Sequence, residues 1–419
     1  MIHDRGRRSF LARAGALLAG AAVGDTGRLH ATQVAARAGP GLAGSAPAPG
    51  WLPTEQLIGE IPRLMELAAV PGAALAVVEN GRIWHHEFGV ADKASGKRVG
   101  DGTLFEAASL GKPVFAYAVL RLRDAGMLDL DRPLSRYLPP DEPADPQVRR
   151  ITARHVLSHT TGLSNWRLEQ GPLKAEGELG KSFAYSGEAF FYLQRVMERI
   201  TGRPFAHHMQ QDVLEPLGMT HSGYGWLPDY DGRMATGYDE RGEQLDVYAS
   251  IGRKLQPLAE KWKLPIPDWR YEDSSRAMPI AFPTLPNLPV YMVPNAAGSF
   301  LTTPEDYARF VMAASAPPGA GGLALTARSY REMFEPQVRL NSALSWGLGW
   351  GLEKDDDGDG HLFWHWGANG SFRNFVLGDT HARRGLVILT NSANGPKLYQ
   401  RVVSEATGRD HPAFMWFQI

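Results

Sequence analysis

The chain has 419 residues, 43% of them hydrophobic, which is enough apolar material for a substantial folded core. Its formal net charge is −1 and it has no long run of lysine and arginine, so we expect no nucleic-acid partner. Cysteine is absent, which excludes disulfides, thiol catalysis and cysteine-based metal sites.

The first predicted element is an export signal. Arg7 and Arg8 precede a short, weakly apolar run from Ala14 to Gly24, a pattern typical of twin-arginine signals. That run is too short to span a bilayer. We therefore expect a signal peptide at 1–24, a flexible lead at 25–50, and a periplasmic or secreted mature protein without a membrane span. The alternative is a basic tail on a cytosolic protein.

A helix and a hairpin are predicted next. Between Thr54 and Ala69, apolar residues recur at helical spacing. Two β-rich runs then flank Asn80-Gly81, a dipeptide that favours the tight turn of a β-hairpin. Strand patterns return after Leu344 in four segments: SWGLGWGLE, HLFWHWG, SFRNFVLGD and RGLVILTN.

The stretch between these strands is predicted to be mainly helical. Helices are expected at 109–126, 151–163, 188–201 and 205–214, and after Thr303 as N-cap with Pro304 in the first helical position. We therefore predict an α+β fold with one antiparallel sheet built from the N- and C-terminal parts and flanked by helices. Its domain would comprise 51–108 and 338–419, and a mostly helical domain would be inserted at 109–337.

The segment FEAASLGKPVFAYAVLRL, residues 105–122, places Ser109 three positions before Lys112 at the start of an apolar helix. One helical turn separates them, so both side chains point the same way. Burial disfavours a charged amine, so the pKa of Lys112 should fall and the amine could take the proton of the hydroxyl. The alternative is that Lys112 extends to solvent and Ser109 only caps the helix.

Two later motifs complete a pattern. Tyr185 lies in a turn before a helix, and His365-Trp366-Gly367 ends a strand. Serine, lysine, tyrosine and His-x-Gly in this order resemble the serine β-lactamase and penicillin-binding-protein superfamily, in particular its branch of class C β-lactamases, DD-peptidases and family VIII esterases. Four further segments are similar to that superfamily: 155–163, 201–205, 215–219 and 301–310.

The resemblance implies a proton relay and an oxyanion hole. Ser109 would be the acylated nucleophile and Lys112 would accept its proton. Tyr185 would be the second member of the relay, with its phenol pKa lowered by the lysine. The backbone N–H groups of Ser109 and Ala368 would bind the oxyanion.

The resemblance also implies substrate contacts on the last motif. His365 would offer a donor or a partial positive charge to the substrate, with Trp366 beside it. Gly367 would let the edge strand approach the substrate closely. His159 resembles a structural position of the superfamily and not a catalytic one.

The second motif departs from the superfamily pattern, in which Tyr-x-Asn is usual. Here Gly187 follows Tyr185-Ser186, so the amide side chain that would hold a substrate carbonyl is missing. Ester cleavage is favoured over β-lactam hydrolysis for this reason, and a nearby polar residue could also substitute for the asparagine.

These features predict an exported serine hydrolase that forms an acyl-enzyme with a small-molecule ester or a D-amino-acid amide or peptide, and more weakly with a β-lactam. The alternative is a non-catalytic protein of the same fold that senses cell-wall peptides or penicillin. No metal or organic cofactor is expected. The aromatic-rich stretch 226–295 is predicted to form one side of the cleft and to set substrate preference, and the alternative is an ordinary surface excursion. The segment 355–360, DDDGDG, is predicted to be a polar turn and not a calcium loop.

Overall fold

The computed structural model describes residues 50–140, 145–167, 171–245, 248–283, 293–354 and 361–416. The predicted signal peptide, the lead up to residue 49 and the turn at 355–360 lie outside these described residues. Export therefore stays a prediction. From Trp51 onward the chain forms one compact unit.

The predicted hairpin is present near the start of this unit. Strand β1 (Gly72–Glu79) pairs antiparallel with β2 (Arg82–Asp92), and β3 (Lys97–Arg98) extends the sheet beyond β2. Asn80 and Gly81 have φ angles of 52° and 71°, the left-handed values that a type I′ turn requires.

Three short strands form a separate small sheet, in the order β4-β6-β5. They are β4 (Phe105–Ala108), β5 (Gly223–Tyr224) and β6 (Phe300–Thr302). Strand β4 ends directly before Ser109, so this sheet fixes the position from which the predicted nucleophile is presented.

The C-terminal strands complete the large sheet. They are β7 (Val338–Arg339), β8 (Leu344–Trp346), β9 (Gly351–Lys354), β10 (His361–Asn369), β11 (Phe372–Asp379) and β12 (Arg384–Thr390). The order is β3-β2-β1-β12-β11-β10-β9-β8-β7, and the β1·β12 pair joins the N-terminal to the C-terminal part of the chain. The predicted antiparallel sheet and α+β class are confirmed, while the predicted domain limits stay a prediction.

The α-helices lie before, between and after these strands. In chain order they are α1 (Glu55–Ala68), α2 (Gly111–Asp124), α3 (Ala153–Leu157), α4 (Gly187–Thr201), α5 (Phe205–Met209), α6 (Tyr248–Trp262), α7 (Tyr271–Ala281), α8 (Pro304–Ala314), α9 (Ala327–Phe334), α10 (Gly395–Thr407) and α11 (Pro412–Trp416). Within the described ranges, no helix is both long and apolar enough to cross a membrane.

Several helix limits differ from those predicted. Helix α3 ends at Leu157, before the predicted Gly162, and after α5 the chain continues as a π-helix over Gln210–Leu214. Helices α6 and α7 arise in the stretch 226–295, for which no helix was predicted, and they pack into a small hydrophobic cluster of their own.

Both faces of strand β1 in the large sheet are buried. On β1, Ala74, Ala76 and Val78 pack into the core shared with the helical part of the chain. The alternate residues Ala73, Leu75 and Val77 pack into a second core with α1, α10 and α11. Strand β1 is therefore apolar at every position up to Val78, as expected for a strand covered on two sides.

We predict that Asn391→Ala destabilises the fold. Its fully buried amide accepts a hydrogen bond from the Gly72 N–H (2.8 Å) and donates to the carbonyl oxygens of Thr236 (3.0 Å) and Ala91 (3.3 Å). Loss of these partners should lower the free energy of unfolding by about 3 kcal/mol, measured by urea denaturation. Gln56→Ala removes an amide side chain from an exposed position of helix α1 and should cost less than about 1 kcal/mol. Equal losses in the two variants would contradict this assignment.

Candidate active site

Ser109 is presented on a strained turn between β4 and α2. Ala108, directly before it, is a non-glycine residue with a φ of 53°. Such strain persists only where the surroundings enforce it, and it is often found at functional sites. The side chain of Ser109 is only partly covered, so a substrate can reach it.

Lys112 lies under the serine and is 1% exposed. Its Nζ is 3.1 Å from Ser109 Oγ and also contacts the carbonyl oxygen of Ala297. Burial lowers the pKa of Lys112 well below its usual 10.5. Helix α2 has Leu110 at its N-cap, without a side-chain cap. The alternative of a solvent-directed lysine and a capping serine is therefore wrong.

Ala297 is a site residue that sequence reasoning missed. Its carbonyl oxygen lies 3.4 Å from Ser109 Oγ and accepts a hydrogen bond from Lys112 Nζ. A carbonyl oxygen can only accept, so this contact uses an N–H of the amine and leaves the lone pair of a neutral Lys112 free for the serine proton. Because the contact is made by backbone, no side-chain motif could have revealed it.

Tyr185 joins the pair from the turn before α4. Lys112 Nζ lies 4.7 Å from the centroid of its ring. The phenol oxygen is buried and makes no hydrogen bond of standard geometry to a described residue. The nearby Ser109 hydroxyl favours the ionised phenol and by itself would lower the pKa. Burial outweighs that contact and raises the pKa of Tyr185 above its usual 10.0. The predicted lowering of this pKa by the lysine is therefore wrong, and the phenol is a neutral proton donor.

The edge of β10 lies against the strand that carries the nucleophile. A Cβ at Gly367 would be 2.0 Å from the carbonyl oxygen of Ala107 and 3.1 Å from Leu110 Cγ. Glycine is required because two backbones meet here. This close contact is with the protein's own strand, whereas the sequence predicted an approach to substrate.

The register of the β10-β11 hairpin directs one amide of this edge outward. The two-residue turn Gly370-Ser371 makes Asn369 and Phe372 the closing, hydrogen-bonded pair. The next pair, which contains Ala368, is then non-hydrogen-bonded, so the Ala368 N–H points away from β11. Strand β9 pairs with β10 only as far as Trp364, so this amide lies on an edge of β10 that β9 leaves open, and its role as an oxyanion donor stays a prediction.

His365 differs from its predicted role. It is fully buried, and burial lowers its pKa to about 3. Its Nδ1 donates to the carbonyl oxygen of Trp366 at 2.6 Å, so Nε2 carries a lone pair, and it has no hydrogen-bond partner among the described residues. A neutral imidazole with this tautomer offers a substrate neither positive charge nor a donor at Nε2.

Trp366 forms part of an aromatic wall behind the tyrosine. It is half-buried, and its ring centroid lies 5.1 Å from that of Tyr185 and 6.2 Å from that of Trp416. The structure thus places Trp366 against Tyr185, and a direct contact with substrate stays a prediction.

Gly187 is covered by an indole that sequence reasoning did not single out. A Cβ at this position would lie 2.4 to 2.8 Å from atoms of the Trp166 ring. The Gly187 N–H donates to Asn165 Oδ1 at 2.9 Å. The Trp166 ring therefore occupies the space where the side chain of the usual asparagine would lie. The nearby polar side chain, Asn165, already accepts a hydrogen bond from the Gly187 N–H. A single tryptophan at position 166 forms no recognisable sequence motif, so no signal in the sequence indicated its position over Gly187.

The aromatic stretch 226–295 has a structural role in its described part. Trp269 is buried in the cluster formed by α6 and α7, and Trp262 and Trp166 pack against that cluster. Its influence on substrate preference stays a prediction.

One group of metal-ligand type occurs among the described residues. His85, Glu87 and Asp101 bring their ligand atoms within 4.8 Å of one another. None of these is a predicted site residue, and His85 Nδ1 already lies in hydrogen-bond contact with Glu87 Oε1 at 2.7 Å.

The protein family described as Beta-lactamase matches residues 59–403 of this chain. The chain belongs to the beta-lactamase family. Among solved structures, a class C beta-lactamase is similar with a TM-score of 0.67 and 18% identity, covering 84% of this chain and 95% of that one. The D-alanine carboxypeptidase AmpC from Burkholderia cenocepacia has a TM-score of 0.64 and 19% identity, covering 84% and 99%.

Two curated relatives of this beta-lactamase-family protein have names that indicate different activities. Esterase EstB from Burkholderia gladioli is 35% identical over 185 residues, which span 36% of this chain and 47% of EstB. Penicillin-binding protein 4* from Bacillus subtilis (strain 168) is 23% identical over 359 residues, 80% of this chain and 71% of that protein. The match to EstB thus covers about half of EstB.

We predict that Gly367→Ala inactivates this beta-lactamase-family protein. The new methyl group would overlap the Ala107 carbonyl oxygen and push β10 away from Ser109. A displacement near 1 Å should lower turnover about 100-fold, measured with a chromogenic ester. Gly100→Ala adds a methyl group where no atom lies within 4 Å and serves as the control. Full activity of Gly367→Ala would show that the two backbones do not need this contact.

We predict that the buried amine makes stability depend on pH. Between the folded-state pKa of Lys112 and its usual 10.5, the unfolded chain binds a proton that the folded chain does not. Stability should therefore increase as pH rises through this range, by up to about 1.4 kcal/mol per pH unit relative to Lys112→Met. Urea denaturation of both proteins from about pH 8 to about pH 10 tests this. Parallel curves would mean that the folded protein keeps Lys112 protonated.

Proposed function

We propose that the protein hydrolyses uncharged carboxylic esters through an acyl-enzyme on Ser109. The observation that carries this proposal is the contact of Ser109 Oγ with a buried Lys112 amine at 3.1 Å, beside the Tyr185 ring. A hydroxyl next to an amine that has lost its charge is an activated nucleophile.

Acylation follows from the hydrogen-bonding capacity of these groups. Ser109 Oγ attacks the ester carbonyl carbon while its proton passes to the lone pair of Lys112. The oxyanion is bound by the N–H groups of Ser109 and Ala368, and each such donor is worth about 3 kcal/mol of barrier. The leaving alkoxide takes a proton from the Tyr185 phenol, which regains one from the protonated Lys112. An alcohol leaves and an acyl-serine remains.

Deacylation reverses the direction of proton transfer. A water molecule gives its proton to the neutral Lys112 and Tyr185 pair and attacks the acyl carbon. Ser109 Oγ is the leaving group and recovers its proton from the same pair, so a carboxylic acid is released and the enzyme is restored.

Two features of the site favour esters over peptides and β-lactams. Trp166 occupies the space above Gly187, so no side chain at 187 can bind a substrate amide. His365 is buried and neutral, with a pKa near 3, so it provides no cation for a substrate carboxylate. Esters need neither contact. The likeness to esterase EstB supports the same substrate class.

Side-by-side kinetics test the proposal. Turnover of p-nitrophenyl butyrate should exceed that of a chromogenic cephalosporin and of a D-alanyl-D-alanine peptide. Ser109→Ala should abolish ester turnover and fluorophosphonate labelling, and Tyr185→Phe should lower acylation about 100-fold. Ser95→Ala changes an exposed serine and is the matched control.

Three outcomes would contradict this assignment. Unchanged turnover in Ser109→Ala would remove the mechanism, and faster cephalosporin or peptide hydrolysis would remove the ester preference. Labelling of Ser109 by a fluorescent penicillin, without turnover of any substrate, would instead support the second candidate function, a sensor of the same fold.

A further inference from the structure

His159 holds the turn that carries Tyr185 at three points. Its backbone carbonyl oxygen accepts a hydrogen bond from the Ala184 N–H at 2.7 Å. Its Nδ1 accepts one from the Ser186 N–H at 3.1 Å. Between these two bonds, its ring stacks on the Tyr185 ring, with centroids 4.3 Å apart and planes inclined by 25°. One residue therefore fixes both flanking amides and the ring itself.

The chemical state of His159 suits this arrangement. A backbone N–H can only donate, so Nδ1 must be the unprotonated nitrogen and the proton resides on Nε2. The ring is fully buried, and burial keeps its pKa well below the usual 6.5. A neutral, flat ring with one acceptor can stack on a phenol and bind an amide at the same time, which an asparagine or a phenylalanine can do only in part.

The backbone of His159 is itself held in an unfavourable conformation. Its φ is 54°, a left-handed value that is uncommon for residues other than glycine. In this conformation its carbonyl oxygen reaches Ala184 while its side chain reaches Ser186. Strain of this kind is kept where the surrounding structure needs the resulting geometry.

Tyr185 depends on such support because its phenol oxygen has no hydrogen bond of standard geometry to any described residue. The direction of the phenol is therefore set by ring packing and by the backbone on either side. The amine of Lys112 lies 4.7 Å from the same ring, so a small rotation of Tyr185 would change its distance to both relay partners.

We propose that His159 is the positioning residue for Tyr185, and that it aligns the phenol with Ser109 and Lys112 through the ring stack and the Ser186 hydrogen bond. This inference rests on the proposed ester hydrolysis. It assigns a function to His159, for which the sequence predicted only a structural role.

Two variants separate the two contacts. His159→Phe keeps a stacked ring and loses the acceptor, while His159→Asn keeps an acceptor and loses the ring. Both should lower kcat for p-nitrophenyl butyrate about 100-fold with little change in KM, because misplacement by about 1 Å impairs the transition state more than binding. His155→Asn is the matched control: His155 lies in the same segment and bonds Thr152 instead of the tyrosine turn.

A double-mutant cycle separates positioning from general stabilisation. In a Tyr185→Phe background, where the phenol is already absent, either His159 substitution should lower kcat by less than about twofold further. Equal losses in both backgrounds would overturn the proposal, as would near-normal kcat in the single variants. Failure of both single variants to fold would also overturn it, since the contacts would then support the whole fold.

The controls also distinguish this proposal from the proposed function. If Tyr185→Phe retains full ester turnover, or if the wild-type protein hydrolyses no ester, the proposed function fails. If Tyr185→Phe is strongly impaired while His159→Phe and His159→Asn are not, only the positioning role of His159 fails.

Discussion

The site depends on the burial of one amine. Helix α2 is apolar almost all round, so Lys112 at its start is enclosed together with the serine one turn earlier. Enclosure removes the positive charge that water would stabilise, and the contact with Ala297 then takes up an N–H and leaves the lone pair toward Ser109. Without this dry environment the lysine would be a cation and could accept no proton.

The geometry around that amine comes from three distant parts of the chain. Strand β4 leads directly to Ser109, the turn before α4 carries Tyr185, and the edge of β10 carries the outward amide of Ala368. The close approach of Gly367 to Ala107 brings the edge of β10 beside β4. The contacts of His159 hold the turn that carries Tyr185. The large sheet makes these approaches possible because its C-terminal strands lie beside the N-terminal hairpin.

The protein shares the fold of the beta-lactamase family, while the surroundings of its nucleophile have a distinct polarity. An indole covers Gly187, and the histidine of the last motif is neutral. Both changes remove polar or charged groups that would recognise amides and carboxylates. The activated serine remains, so under the proposed function the chemistry is retained while recognition shifts toward uncharged substrates. This is the expected pattern when function is determined by a site and not by a fold.

The sequence alone determined features whose physical cause is local: the Asn80-Gly81 hairpin, the Thr303 cap of α8, the pairing of Ser109 with Lys112 across one helical turn, and the order of strands and helices that indicates an α+β fold. Tertiary structure decided the rest. The raised pKa of Tyr185, the neutral state of His365 and the reason for glycine at 367 all depend on burial and on neighbours far away in sequence. A hydrogen bond within a turn is set by adjacent residues, whereas the dielectric environment of a side chain is set by everything that packs around it.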